Sequence, residues 1–335
     1  MSRSIPPLVL FLLPALGPVL PATTWDEPWH ADVIRRAHTF VLVEVVANPT
    51  GHEVKARLVR HLAGRKLPAT LTIAGFHSLR IGSTSSAAGD QELRLPFKPK
   101  DRVYTFLRKK KDAPTWQLAT PTAGWARLAD DEVTATYRHS YHKALVDRDL
   151  YEKSSTALFL HLHGKPCDRK FVTRFLEEML GLEPSYFGKG NDSPETRRFF
   201  RQHVALELFA HLGRAEDLAR LEPFLRARGD HIQISAARAL AGLTTGPARK
   251  RMEKFLLAKD RIGFAKVMII RGWRRQEARE MAPVLEKFLA EGEDAKCGFG
   301  GSIMDPRVGT RFPSSVKAAA RGLLQEWKKG GEERK

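Results

Sequence analysis

Two cysteines and twelve histidines are the scarce reactive side chains in this sequence of 335 residues, and their spacing limits what they can do. His161-Leu162-His163, with Cys167 four residues on, has the residue types of a zinc site. Zinc would need both imidazoles on one face, and residues two apart share a face only on a strand. The segment has helical periodicity and no fourth ligand follows, so it reads as a helix end. His139 and His142, three apart at a domain boundary, meet the same objection. A nucleophilic cysteine needs a base and a depressed pKa. Cys297 has Lys296 beside it but no recognisable histidine partner. A disulfide between Cys167 and Cys297 is the first expectation and two free thiols the second. Asp130-Asp131-Glu132 reads as a polar turn before Val133 rather than a metal cluster. Spacing alone places no two acids across a substrate. The sequence therefore predicts no catalytic residue, no metal and no cofactor. Residues 292–313 (GEDAKCGFGGSIMDPRVGTRFP) form a long loop that lacks the Gly-Lys-Ser/Thr ending of a phosphate loop. Long ordered loops often carry function, which makes this one an expected contact site.

The remaining chemistry is charge. Lys and Arg number 56 against 38 Asp and Glu, for a net charge of +18. Residues 197–335 hold 29 basic and 17 acidic side chains, so most of the excess lies there. Arg249, Arg251 and Lys254 open one helix of that region, and Arg275 and Arg279 open the next. Basic residues at a helix start oppose the macrodipole, a local cost that hints at a use. These five residues form an expected basic stripe facing an anionic surface or polymer. The competing explanation is an ordinary solvated face with the acids Glu253, Glu277 and Glu280 mixed in.

The elements that carry these residues fall into regions. Residues 1–22 have a short basic start, an apolar run and Leu20-Pro21-Ala22 before the first acids, the pattern of a cleaved signal peptide. Sixteen apolar residues broken by prolines are short for a membrane span of about 20 residues. Export to the periplasm or outside the cell is the expectation. Residues 23–142 contain several short runs of β-branched and aromatic residues with turn signals between them, which predicts a small antiparallel barrel. Its size and strand count are similar to an oligonucleotide/oligosaccharide-binding (OB) barrel. Tyr104, Phe106, Arg108, Lys109 to Lys111, Trp116 and Trp125 combine aromatic and basic types there, as base-stacking surfaces do. Core aromatics and a hairpin tip at Lys109 to Lys111 explain the same residues. Residues 143–196 read as a helical connector, with helices over 151–163 and 168–180 and a linker over 184–194.

Beyond that the sequence repeats. Leu221-Glu222-Pro223-Phe224-Leu225 returns as Met252-Glu253-Lys254-Phe255-Leu256 and as Leu285-Glu286-Lys287-Phe288-Leu289, at offsets of 31 and 33 residues. Ala-rich helices precede the copies. This pattern resembles the HEAT-repeat family of α-solenoids over residues 197–328, in its short bacterial form, followed by a charged tail over 329–335. The resemblance implies stacked hairpins, because one hairpin cannot bury its apolar face alone. It also implies an extended protein-interaction surface. The expected whole is an α+β multidomain protein, with an OB-like barrel followed by an α-α superhelix. Its expected role is that of an exported, non-catalytic binding or scaffold protein with a protein partner. The alternative is binding of an anionic polymer, such as an envelope glycan, lipopolysaccharide or nucleic acid, through the basic stripe. The enzymes with HEAT-like repeats, bilin lyases and alkyl-base glycosylases, lend no catalytic residue to this sequence.

Overall fold

The computed structural model describes residues 30–76, 80–82, 97–109, 114–120, 124–136, 143–188, 192–297, 302–304 and 313–332. The chain is a mixed α/β protein with an N-terminal closed barrel of five strands and a helical C-terminal half. Residues 1–22, His139 and His142 lie outside the described residues.

A short helix α1 (His30–Arg36) precedes the strands. Its seven residues are too few for periodicity to announce, and the sequence reading missed it. Strands β1 (Thr39–Val45), β2 (Glu53–Gly64) and β3 (Thr70–Ala74) form an antiparallel meander. A short strand β4 (Arg80–Gly82) leaves the barrel, and β5 (Arg102–Lys109) returns beside β1. β6 (Trp116–Leu118) fits between β5 and β3 and closes the ring β1-β2-β3-β6-β5. The β3–β6 pair is parallel, so the barrel is not wholly antiparallel as expected. The reason is topological: β6 leaves a hairpin with β5 and meets the far edge of the meander head-to-head. Strands β7 (Trp125–Ala129), β8 (Glu132–Thr136) and β9 (Lys143–Asp147) continue the sheet from the edge of β5 that β6 also borders, opposite β1. β9 lies beyond residue 142, where helix was expected to begin. Asp130 and Asp131, both with positive φ, make the two-residue turn between β7 and β8, as the polar-turn reading required.

Strand alternation builds two cores. Val41, Val43 and Val45 of β1 point into the barrel with Val54, Ile73, Val103, Leu107 and Leu118. The opposite face, Phe40, Leu42, Tyr104 and Phe106, joins a second cluster that runs through α1 and the helices to the C-terminal helix. Phe40 stacks on Phe106 with centroids 4.5 Å apart. β1 and β5 are therefore buried on both faces, which is why β1 reads as a nearly unbroken apolar run.

α2 (Arg148–Leu162) and α3 (Arg169–Leu180) match the helices expected there, and the Asp168 side chain caps α3 by accepting from the Phe171 N–H at 3.0 Å. The helices α4 (Pro194–Leu212), α6 (Asp230–Ala241), α8 (Gly263–Arg275) and α10 (Val316–Glu332) lie in succession against one another. α5 (Glu222–Leu225), α7 (Gly246–Leu257) and α9 (Ala282–Glu291) carry the repeated motif, whose Phe224, Phe255 and Phe288 are all buried. Small residues let the helices approach: a Cβ on Gly242 would lie 2.2 Å from the Ala210 carbonyl oxygen. Buried Gln233 ties repeats together, donating to the Ala227 carbonyl at 2.9 Å and accepting from the Ile262 N–H at 2.8 Å.

Lys266 of α8 is 1% exposed, its ammonium 5.7 Å from the centre of the Phe288 ring. No hydrogen-bond acceptor among the described residues takes that ammonium, and burial pushes its pKa down. Lys266→Met keeps the volume and removes the desolvation cost. We expect it to raise unfolding stability by about 1–3 kcal/mol, measured by urea denaturation at pH 7.

Candidate anion-binding rim of the barrel

The expected basic stripe is taken apart by the structure. Arg249 pairs with Glu280 and Arg251 with Glu222, each across a repeat boundary. Arg275 is largely buried and pairs with Asp32 of α1 at 3.1 Å. Arg279 donates to the Trp327 carbonyl at 3.3 Å. Lys254 alone of the five keeps an exposed side chain with no carboxylate partner among the described residues. Glu280 is one of the acids that the competing solvated-face explanation named, whereas Glu222 and Asp32 come from other helices. Cys167, half-buried, and Cys297, buried, are both free thiols, which corrects the expected disulfide. Cys167 stands before α3 and Cys297 in the segment after α9, where its N–H donates to the Ser314 carbonyl at 3.1 Å. Burial pushes the Cys297 thiol up to about 12, the opposite of what a nucleophile needs. No cluster among the described residues suits a metal. The loop over 292–313 contributes β10 (Ser302–Met304), which pairs with β4, so its visible contact is with the barrel half of the same chain.

Unpaired positive charge collects elsewhere, at one end of the barrel. Thr39 of β1 is paired with Gly64 of β2 on one side and with Leu107 of β5 on the other. One step further, Arg65, His38 and Arg108 stand in a row across three adjacent strands spaced about 4.8 Å apart. Residues opposed across antiparallel strands share a face, which gathers these three side chains. Two backbone contacts fix the row: the Arg65 N–H donates to the His38 carbonyl at 3.0 Å, and the His38 N–H to the Leu107 carbonyl at 2.6 Å. Lys66 and Lys109 follow Arg65 and Arg108 in sequence; strand alternation turns the Lys109 side chain to the other face of β5, where β6 places Trp116 opposite it.

No carboxylate pairs with Arg65, Lys66, Arg108 or Lys109 among the described residues. Arg108 Nε is buried without a hydrogen-bond partner. The Lys109 N–H donates to His38 Nδ1 at 3.0 Å, so the neutral imidazole carries its proton on Nε2, as a donor. His163, the residue after α2, stacks on Phe159 and bonds the Ile34 carbonyl at 3.1 Å through Nε2. Burial, and then the charges of Arg65, His163 and Arg108, hold His38 below the usual imidazole range.

Sequence reading found Arg108, Lys109 and Trp116 but took them for core and hairpin tip. Lys110 and Lys111 lie outside the described residues. His38 and Arg65 were missed, since only the strand register brings them to Arg108. A cleft of about 360 Å³ between β2 and α2, lined by Arg60, Glu152, Asp149 and Phe171, offers less free charge. There Glu152 already accepts from Tyr104 Oη and Arg60 at 2.7 Å each. Comparison with protein-family models, with curated proteins and with solved structures gives no match to this chain.

Proposed function

We propose that this chain is an exported, non-catalytic binding protein that holds an anionic ligand on the cationic rim of an OB-like barrel, with a HEAT-like stack of helical hairpins as its frame. The row Arg65, His38 and Arg108, with no carboxylate paired to either arginine among the described residues, carries the reading. The OB-like assignment is supported by the closed ring β1-β2-β3-β6-β5 with its single parallel pair. The HEAT-like assignment is supported by the succession of Ala-rich helices and the buried Phe of each repeated motif. A protein partner is a second reading, and one observation favours it. Leu182, Tyr186 and Phe187 are exposed on a segment pinned from beneath by buried Gln202, which accepts from the Ser185 N–H at 2.8 Å.

The test is salt-titrated retention of the full chain on a phosphorylated matrix. One variant has Arg65, Lys66, Arg108 and Lys109 changed to Gln. A control loses equal charge from the exposed Lys250, Lys254, Lys287 and Lys328. The rim variant is expected to elute at markedly lower salt, with the dependence on log salt reduced by roughly three to four ions, and the control to behave as wild type. Equal shifts in both variants would show that the basicity is diffuse and sink the reading. Should the fourfold variant fold poorly, Arg65→Gln with Lys66→Gln alters only exposed side chains and gives half the effect.

A further inference from the structure

Resting on that reading, we propose that the rim recognises a chain of phosphate groups through its charges alone, and takes no part of its grip from stacked bases or sugars. The inference comes from what surrounds the aromatic side chain. Trp116 is the aromatic residue beside the row among the described residues; the Lys109 ammonium lies 5.5 Å from its ring centroid, and the side chain also packs against the barrel core. The same ammonium donates to the Pro114 carbonyl at 3.2 Å, which anchors it in that position. A base could stack there only by displacing an intramolecular cation–π contact. What remains open to a ligand is a line of donors without stacking faces. Arg65, which is exposed, and Arg108, which is half-buried, carry planar guanidinium forks that match phosphoryl oxygens. His38 carries its Nε2–H between them, and the exposed Lys66 stands next to Arg65. Arg65, His38 and Arg108 sit one strand spacing apart, so together they span about 10 Å. An extended polyanion crossing the strands meets them in turn, whereas a single small anion meets one or two.

The group that reports occupancy is His38. The groups facing it are Arg65 from the end of β2, Arg108 from β5 and His163 from the end of α2, together with the Lys109 N–H. All the charges are positive, so a bound phosphate must raise the apparent pKa of His38 by cancelling them.

The experiment uses the full chain and four probes matched in charge number: linear polyphosphate, oligo-thymidylate, polyglutamate and a sulfated glycan. Affinity is measured at fixed salt, with the His38 imidazole resonances followed by NMR through a pH titration. Polyphosphate and oligo-thymidylate are expected to bind within about threefold of each other per phosphate. Both should raise the His38 titration midpoint, and polyglutamate should bind at least tenfold more weakly. Oligo-thymidylate binding tenfold tighter than polyphosphate, with quenching of Trp116 fluorescence, would overturn the inference in favour of base stacking and leave the anion reading standing. Equal binding of all four probes would overturn it in favour of unselective charge attraction. If no probe moves His38 and the rim variant binds each probe as wild type does, the anion reading itself fails.

Discussion

Glu207→Gln is expected to destabilise the protein by about 3–5 kcal/mol, read as a lowered urea midpoint with unchanged slope. Glu207 of α4 is 4% exposed and faces Arg238 of α6 at 3.3 Å, His211 at 3.3 Å and His30 of α1 at 3.6 Å. Burial alone would raise its pKa. The Arg238 charge and the hydrogen bonds from His211 and His30 reverse this and hold the carboxyl well below the usual range. Glutamine preserves the shape but leaves the 4% exposed Arg238 facing a neutral group. Replacing both, Glu207→Gln with Arg238→Met, should recover part of the loss, because the buried charge is then removed together with its carboxylate. The same cluster predicts acid sensitivity. Burial keeps His211 neutral by lowering its pKa, with the Glu207 contact opposing. The unfolded chain binds this proton near pH 6.5 and the folded one only at lower pH, so the His211 contribution is intact above pH 6.5 and is lost as pH falls below it. Urea midpoints at pH 8 and pH 5 test this, and His211→Gln should flatten the difference.

Gly64→Ala is expected to cost about 3 kcal/mol and to lower the salt at which the chain elutes from the phosphorylated matrix. Gly64 has φ +88°, and an added Cβ would lie 2.3 Å from the His38 carbonyl oxygen and 2.7 Å from Thr39 Cα. Left-handed backbone costs about 1–2 kcal/mol for a residue with a side chain, and the collision with β1 adds to it. Relief requires moving the end of β2 from the start of β1, which separates Arg65 from His38. Gly51→Ala is the matched control, with φ +55° and nothing within 4 Å of the added carbon. It should cost only about 1 kcal/mol and leave retention alone. If Gly64→Ala binds as wild type does, the strand register does not assemble the rim.

The helical half was legible because its signals are local. Asp168 and Ser193 each cap a helix from the position their side chains suggest, and the Phe of each repeated motif is buried. The barrel was legible as a set of short strands, but its closure depends on pairings between distant segments. The parallel β3–β6 contact has no sequence signature, and neither does the docking of seven-residue α1. The same reason separates the two basic regions. The stripe was conspicuous because its arginines are neighbours in sequence, yet Glu222 and Glu280, from other helices, neutralise two of them. The rim was inconspicuous because its members come from different strands, and among the described residues no carboxylate pairs with its arginines.

β5 borders β1 on one edge and both β6 and β7 on the other, and neither β1 nor β5 has a solvent face. The barrel's outer wall is thus the floor on which the helices rest. A gene fragment ending after β9 would encode strands whose Phe40, Leu42, Tyr104 and Phe106 have lost their cover from α2 and beyond. Such a fragment is poor material for exon-like shuffling, since any new host must supply a matching apolar surface. The two halves share one apolar cluster, so a core substitution on either side of it is felt by both.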